Sequence, residues 1–305
     1  MLSSGRLHQR SGLLQAVRSF FYARDYLEVD TPIRLPVLIP ESHIIPFESE
    51  GWFLHTSPEI CMKRLLAAGS SKLFQLCQCF RKEEVGRLHQ SEFTMLEWYH
   101  AGWSYCELMD ECEALINDLV RSGQHFSGVA GQSLKRDGRM ISLIPPWDRF
   151  TVDEMFQEYA GLTAREAVVN GIFDELLVTR VEPHLGWERP AFLYDYPVEL
   201  GSLARRKEGN ESLAERFELY IAGIELVNGF SELVDPAEQR KRFTMEIANI
   251  QKMGRSSPVM PEKFLNELKR LEKTAGAALG FDRIFMLLLG LGSVAEAVCL
   301  NEEDL

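Results

Sequence analysis

Apolar residues recur with helical spacing at Leu13, Val17, Phe20 and Phe21, and Tyr26 to Thr31 then alternate in polarity until Pro32 stops them. The pattern predicts a helix, a strand and a proline stop, in that order. A second helix is expected near Pro58, because proline suits a first helical turn. From Lys72 to Glu84 the two faces of a predicted strand differ sharply, with Phe74, Leu76 and Phe80 on one and Gln75, Cys77, Cys79, Arg81 and Glu83 on the other. A polar row ending in Arg81 and Glu83 faces something other than the main core, and is a candidate site. After a loop over 85–91, Glu92 to Tyr99 returns as an antiparallel partner. The stripe Tyr105, Leu108, Met109, Cys112, Leu115, Ile116 and Leu119 marks the buried face of a helix over 104–121.

The stretch 122–186, with scattered glycines and Pro145-Pro146, reads as an insertion rather than an independent domain. Strands resume at Ala191 to Tyr196 and in a hairpin, Arg216 to Ile221 and Ile224 to Phe230, turning at Ala222-Gly223. A helical segment covers about 237–251, and a glycine- and alanine-rich strand, Gly276 to Phe281, runs through Asp282-Arg283 into an apolar helix. Strands near both ends, joined by antiparallel hairpins and separated by helices, predict an α+β domain with a mixed, mainly antiparallel sheet flanked by helices.

Composition narrows the function. With 305 residues, 46% of them hydrophobic, the chain can bury a substantial core. Its formal net charge of -12 repels a phosphate backbone in the mean, so bulk nucleic-acid binding is disfavoured. Cys61, Cys77, Cys79, Cys106, Cys112 and Cys299 lack the spacing of a secreted disulfide framework and point to reduced thiols in a cytoplasm. Cys77 and Cys79 lie on one face of a strand with no second pair to complete a zinc site, so they read as core or site-lining thiols. The apolar segment 284–295 is too short to span a bilayer, and no membrane role is expected.

No G-x-x-x-x-G-K-[ST] loop and no G-x-G-x-x-G turn is present, so bound phosphates would have to be held by side chains. Arg81, on one strand, and Arg283, at the end of another, are the planar multidentate donors placed for that task.

Phe80-Arg81-Lys82-Glu83-Glu84, followed by His89-Gln90-Ser91-Glu92-Phe93, resembles motif 2 of the class II aminoacyl-tRNA synthetases. Gly276-Ala277-Ala278-Leu279-Gly280-Phe281-Asp282-Arg283 resembles motif 3, and the strand ending at Pro32 resembles motif 1, which in that family shapes a dimer interface. Within the class, Ser57-Pro58-Glu59, Glu92 to Tyr99, and Glu225 to Glu232 are most similar to the lysyl-type core. The resemblance implies one catalytic domain over 1–305 that forms an aminoacyl adenylate from ATP. Arg81 and Arg283 would be catalytic, with Arg81 on the α-phosphate and Arg283 and Phe93 sandwiching adenine. Lys82, Glu83, His89, Gln90, Glu225, Leu226 and Gly280 would border the nucleotide, while Glu218 and Glu225 would hold Mg²⁺, which prefers hard oxygen ligands.

Ser57, Pro58, Glu59, Tyr99, Asn228, Phe230, Glu232 and Ala278 would line the amino-acid pocket. Glu59 and Glu232 suit a lysine-like substrate, because a buried ammonium needs carboxylates to offset its desolvation. The first helix begins almost at residue 8, which leaves no room for the anticodon-reading barrel of a lysyl-tRNA synthetase. The chain is in this respect similar to the truncated paralogues that join (R)-β-lysine to a lysine of elongation factor P. Ser57 and Ala278, where lysyl-tRNA synthetases tend to carry alanine and glycine, agree with that group. Lys82, Gln90 and Ser91 depart from its common residues. The expected substrate is lysine or β-lysine, the expected partner elongation factor P, the expected assembly a homodimer, with no stable tRNA binding. A stand-alone lysyl-type enzyme with another acceptor, or a silent regulatory paralogue, are the alternatives.

Overall fold

The computed structural model describes residues 1–122, 126–301 and 304. Helix α1, Ser4–Tyr22, starts at Ser3, whose side chain accepts from the Arg6 N–H, and buries Leu13, Val17, Phe20 and Phe21. Strand β1 is only Leu27–Glu28, shorter than the alternation suggested. It pairs in parallel with the start of β2, Lys72–Phe80, and sits at the edge of the sheet. Helix α2, Glu59–Ala67, begins after Pro58. Strand β2 stops at Phe80 rather than Glu84, because Glu83 turns the chain through a left-handed φ of 70°.

Antiparallel to β2 lies β3, Glu92–Ala101, and α3, Tyr105–Arg121, follows behind a capping box made by Ser104 and Glu107. The stretch 126–186 contributes a small three-stranded sheet, short helices, and a strand, β4 (Asp148–Thr151), that pairs in parallel with β5, Ala191–Pro197, at the far edge of the main sheet. Residues 123–125 of the expected insertion lie outside the described residues. A two-residue strand β6, Arg206–Lys207, adds to β7, Asn210–Ile221, which returns as β8, Ile224–Ser231. Their turn has positive φ at both Ala222 and Gly223, the form whose twist matches a hairpin. Helix α4, Pro236–Lys252, is capped by Asp235 with proline at its first turn, and a seven-residue helix α5, Glu262–Leu268, was not legible in the sequence pattern. Strand β9, Thr274–Gly280, then leads directly into α6, Phe281–Leu289.

Among the described residues the main sheet has nine strands in the order β1-β2-β3-β9-β8-β7-β5-β4, with β6 beside β7. Its central strands are all antiparallel. One face packs on the large core of α1, α3 and α6, through Phe74, Trp98, Ala277 and Phe217. The other face is left for the site. Among the described residues no helix is long and apolar enough to cross a membrane.

Candidate active site

Register places the chemistry. Gln75, Glu97, Ala278, Asn228 and Glu218 form one row across β2, β3, β9, β8 and β7, and Leu73, Tyr99, Gly276, Phe230 and Arg216 form the next. Directly paired residues project to the same side, so both rows lie on the face opposite the main core. The site-facing residues of the central strand β9 are Gly276, Ala278 and Gly280, and their small size hollows the floor. Gly276 is required there: a Cβ would stand 2.2 Å from the Tyr99 ring and 2.9 Å from Glu232 Oε1.

Strict alternation along β8 would turn Glu225 away from Asn228 and Glu232. A bulge prevents this. Leu219 pairs with Val227, but Tyr220 pairs with Glu225, so Leu226 is an extra residue and Glu225 rejoins the site face.

At one end of this face is a cavity of about 240 Å³ bordered by Arg81, His89, Gln90, Phe93, Glu225 and Arg283. Leu226, Gly280, Asn228 and Ala278 also line it. Arg81 stacks near Phe93, 5.1 Å from the ring centroid, and reaches the Thr56 carbonyl at 3.3 Å. Arg283 donates to the Glu225 carbonyl at 2.8 Å, its carboxylate at 3.3 Å and the Leu88 carbonyl at 3.1 Å. It also meets His89 Nε2 at 2.6 Å; since a guanidinium only donates, that nitrogen accepts. Burial, then the Arg283 charge, lowers the His89 pKa and favours this neutral form. Lys82 and Glu83 are exposed on the turn and do not border the cavity, whereas Glu84 does, 3.7 Å from Arg81.

Glu218 is buried beneath Glu225's end of the face and accepts from Tyr196 (2.6 Å), Tyr220 (2.5 Å) and Arg216 (2.5 Å). Arg216 also donates to Asn228 Oδ1 at 3.1 Å. Glu182 joins this acidic group through Tyr220; burial, then Glu218 and Glu225, pushes its carboxyl up to about 7. Carboxylates crowded this way favour a cation, and their hard oxygens are the donor type that Mg²⁺ takes.

The other end is closed and acidic. Glu232 and Lys63 are almost fully buried, and Lys63 bridges Glu232 and Glu59, the latter at 2.5 Å. Burial alone would lower the Lys63 pKa, but Glu232 and Glu59 outweigh it and hold the ammonium charged. Glu97, 2% exposed, has its carboxyl pushed well up by burial, then by Glu59, and accepts from Tyr99 at 2.5 Å. Glu41 and Glu232 are likewise raised by burial, to about 7 and about 8. Among the described residues one lysine thus stands among Glu59, Glu97 and Glu232, and Glu232 Oε1 and Gln75 Oε1 are buried acceptors without a hydrogen-bond partner. Such orphans need donors from elsewhere. Phe230 lies 5.2 Å from Lys63 Nζ, and Ser57 and Pro58 lead into α2 beside Thr56.

Sequence reasoning missed Lys63, Glu84, Glu41, Glu182 and the placement of Glu97. Glu97 carried a signal, since it shares one face of β3 with Met95 and Tyr99; for the others only tertiary packing reveals the role.

The profile of the class II tRNA synthetases (D, K and N) matches residues 3–303. The chain belongs to that family. Similar relatives within it are the elongation factor P (R)-β-lysine ligases of Proteus mirabilis (strain HI4320), 35% identical over 307 residues, and of Salmonella paratyphi B and Salmonella schwarzengrund, each 36% identical over 308. Each alignment covers 97% of this chain and 94% of the relative. This class II chain therefore matches those ligases over nearly their whole length.

Proposed function

We propose that the chain is an ATP-dependent ligase that activates (R)-β-lysine or lysine as its adenylate and transfers it to a lysine side chain of elongation factor P. The observation that carries this reading is the joining, on one sheet face, of an arginine-bordered cavity with a buried acidic pocket whose Glu232 Oε1 lacks a donor. The identity with the ligases supports the acceptor.

The substrate carboxylate, ionised at neutral pH, attacks the α-phosphorus and pyrophosphate leaves, so no general base is needed. The acceptor's neutral amine then attacks the adenylate carbonyl, AMP leaves, and an amide forms. Arg81 would lie on the α-phosphate and Arg283 and Phe93 on either side of adenine, with His89, Gln90, Glu225, Leu226 and Gly280 bordering the nucleotide. Arg81 and Arg283 exchange their present carbonyl and carboxylate partners for phosphate and base, which orients the reactants and offsets developing charge. Lys82 and Glu83, being exposed, would act only at the rim. Glu59, Glu97 and Glu232 take the substrate's ammonium groups, with Ser57, Pro58, Tyr99, Asn228, Phe230 and Ala278 shaping the space. Glu218 and Glu225 would hold Mg²⁺, which would neutralise phosphate charge.

We read 1–305 as a single catalytic domain with an insertion at about 122–186. Assembly as a homodimer through the motif 1 segment is supported by the exposed Leu27, Ile33 and Leu65 around it. The six free thiols suit a cytoplasm, and the acidic balance disfavours stable tRNA binding. Incubation with ATP, Mg²⁺, (R)-β-lysine and elongation factor P, read by intact mass, should add one residue mass to the acceptor. Charging of lysine tRNA with an unmodified acceptor would replace this reading with a stand-alone lysyl-type enzyme.

A further inference from the structure

The polar row of β2 carries two thiols that the proposed reaction does not use. Cys77 and Cys79 occupy site-facing positions in register with Met95 and Phe93 of β3. His55, on the segment entering α2, closes onto them. An imidazole nitrogen and both Sγ atoms lie within 4.8 Å of one another, the one such trio of His, Cys, Asp or Glu among the described residues.

The distances have a chemical meaning. The two Sγ atoms are 3.9 Å apart, and Cys79 Sγ is 4.0 Å from His55 Nε2. Two thiolates bound at about 2.3 Å to one tetrahedral or trigonal ion stand roughly 3.8–4.0 Å apart, so the sulfurs already have chelating separation. Met95 Sδ, 4.0 Å from Cys79 Sγ, is a thioether beside the same group. The imidazole is oriented by the Gln78 carbonyl oxygen, 2.6 Å from Nε2. The tautomer that donates there leaves a lone pair on Nδ1, a buried atom without a hydrogen-bond partner among the described residues. Nε2 is also the nitrogen 4.0 Å from Cys79 Sγ, so ligation through it would move the ring proton to Nδ1 and exchange the Gln78 carbonyl for the metal. His55 and Cys79 are fully buried, and Cys77 is half-buried toward the cleft, which gives an entry path.

We propose that His55, Cys77 and Cys79, with Met95 as the neighbouring soft donor, form a binding site for one thiophilic metal ion, Zn²⁺ or Cu⁺, in the wall of the cleft. Thiolate, imidazole and thioether select such ions and discriminate against Mg²⁺ and Ca²⁺. Binding releases the thiol protons to solvent and changes no oxidation state. The sequence alone argued against a metal here because it showed two cysteines and no further ligands; the fold brings His55 from 22 residues before Cys77.

The test uses the full-length protein stripped of metal under reducing conditions. Co²⁺ titration should give a thiolate-to-cobalt charge-transfer band saturating at one ion per chain, and elemental analysis after Zn²⁺ loading and desalting should give the same ratio. Cu⁺ would be read by competition with a chromophoric chelator. Cys77→Ser and Cys79→Ser, whose metal-free melting should match wild type, are expected to lose at least about 100-fold in affinity, since each deletes a primary ligand. A control with the exposed Cys106 and Cys299 both changed to serine should bind like wild type. Saturable binding of either ion with this variant pattern supports the site. Binding of neither, binding unchanged in folded Cys77→Ser and Cys79→Ser, or binding lost only in the Cys106 and Cys299 control would overturn it.

Discussion

The two ends of the cleft solve electrostatics in opposite ways. At the proposed nucleotide end the two arginines are partly exposed and only loosely ion-paired, above the buried Arg216–Glu218 pair: Arg81 meets Glu84 at 3.7 Å and Arg283 meets Glu225 at 3.3 Å. At the proposed amino-acid end Lys63 and Glu232 are in direct contact and nearly fully buried, with Glu97 enclosed beside them. A loosely held guanidinium can trade its partner for a phosphate at little cost, whereas a buried carboxylate set keeps a fixed shape and a fixed demand for positive charge. The first arrangement suits a cofactor bound by every member of a family. The second suits choosing one amino acid among many.

Removing either arginine should produce the largest effect. Arg81→Ala and Arg283→Ala are expected to slow substrate-dependent ATP–pyrophosphate exchange by about 10²- to 10³-fold, about 3 to 4 kcal/mol. Their melting temperatures should hardly move, because both side chains are partly exposed. Near-normal exchange in either variant would remove that residue from the nucleotide end.

A smaller and more selective loss is expected from Glu232→Gln, which keeps the shape but cannot neutralise an ammonium. The kcat/KM for the diamino acid should fall by about 3 kcal/mol, roughly a hundredfold, while the KM for ATP stays put. Equal losses in both substrates' constants would erase the distinction between the two ends.

Ala278→Gly probes the boundary between them. Its Cβ borders the cavity in the row of Glu97 and Asn228, and lysine and β-lysine differ in the carbon that carries the second amine. Deleting the methyl should shift the ratio of kcat/KM toward lysine by about 1 to 2 kcal/mol, roughly tenfold. An unchanged ratio in a folded variant would show that the methyl is only packing.

The mildest effect is with pH. Glu41 and Glu232 have pKa values raised to about 7 and about 8, so the empty protein holds protons that a dicationic substrate must displace. The KM for the amino acid should therefore fall several-fold between about pH 6.5 and 8.5, and the fall should shrink in Glu232→Gln. The sign for stability is the reverse. A carboxyl with a folded pKa above its unfolded value stabilises at low pH, and that contribution is lost as pH rises through about 7 to 8. Thermal melting of the empty protein across this window should show a decline that saturating substrate reduces.

Much of the fold could be read from pattern. The alternation in β2 and β3, the stripe of α3 and the small residues of β9 each reflect one-sided burial, which a sequence records directly. Elements stabilised by neighbours rather than by their own pattern were harder to see: β7 runs from Asn210, although its first residues are polar and exposed, and α5 is too short to show a period. At the site, Arg81, Arg283, Glu59 and Glu232 are legible from motif context. The bulge at Leu226 that returns Glu225 to the face leaves no local signature, and the reach of Lys63 from Glu59 on its own helix to Glu232 depends on α2 packing against α5 and β2. The same holds for His55, whose meeting with Cys77 and Cys79 no spacing rule anticipates.

On the proposed function, the buried acids make this active site read a second amine. ATP–pyrophosphate exchange should be measured with (R)-β-lysine, lysine and norleucine, the last matching lysine's carbon chain without its terminal ammonium. Robust exchange is expected with one or both diamino acids and at least about 100-fold less with norleucine, in line with about 3 kcal/mol for an unmatched buried charge. Equal exchange with norleucine, or exchange with none of the three, would contradict it.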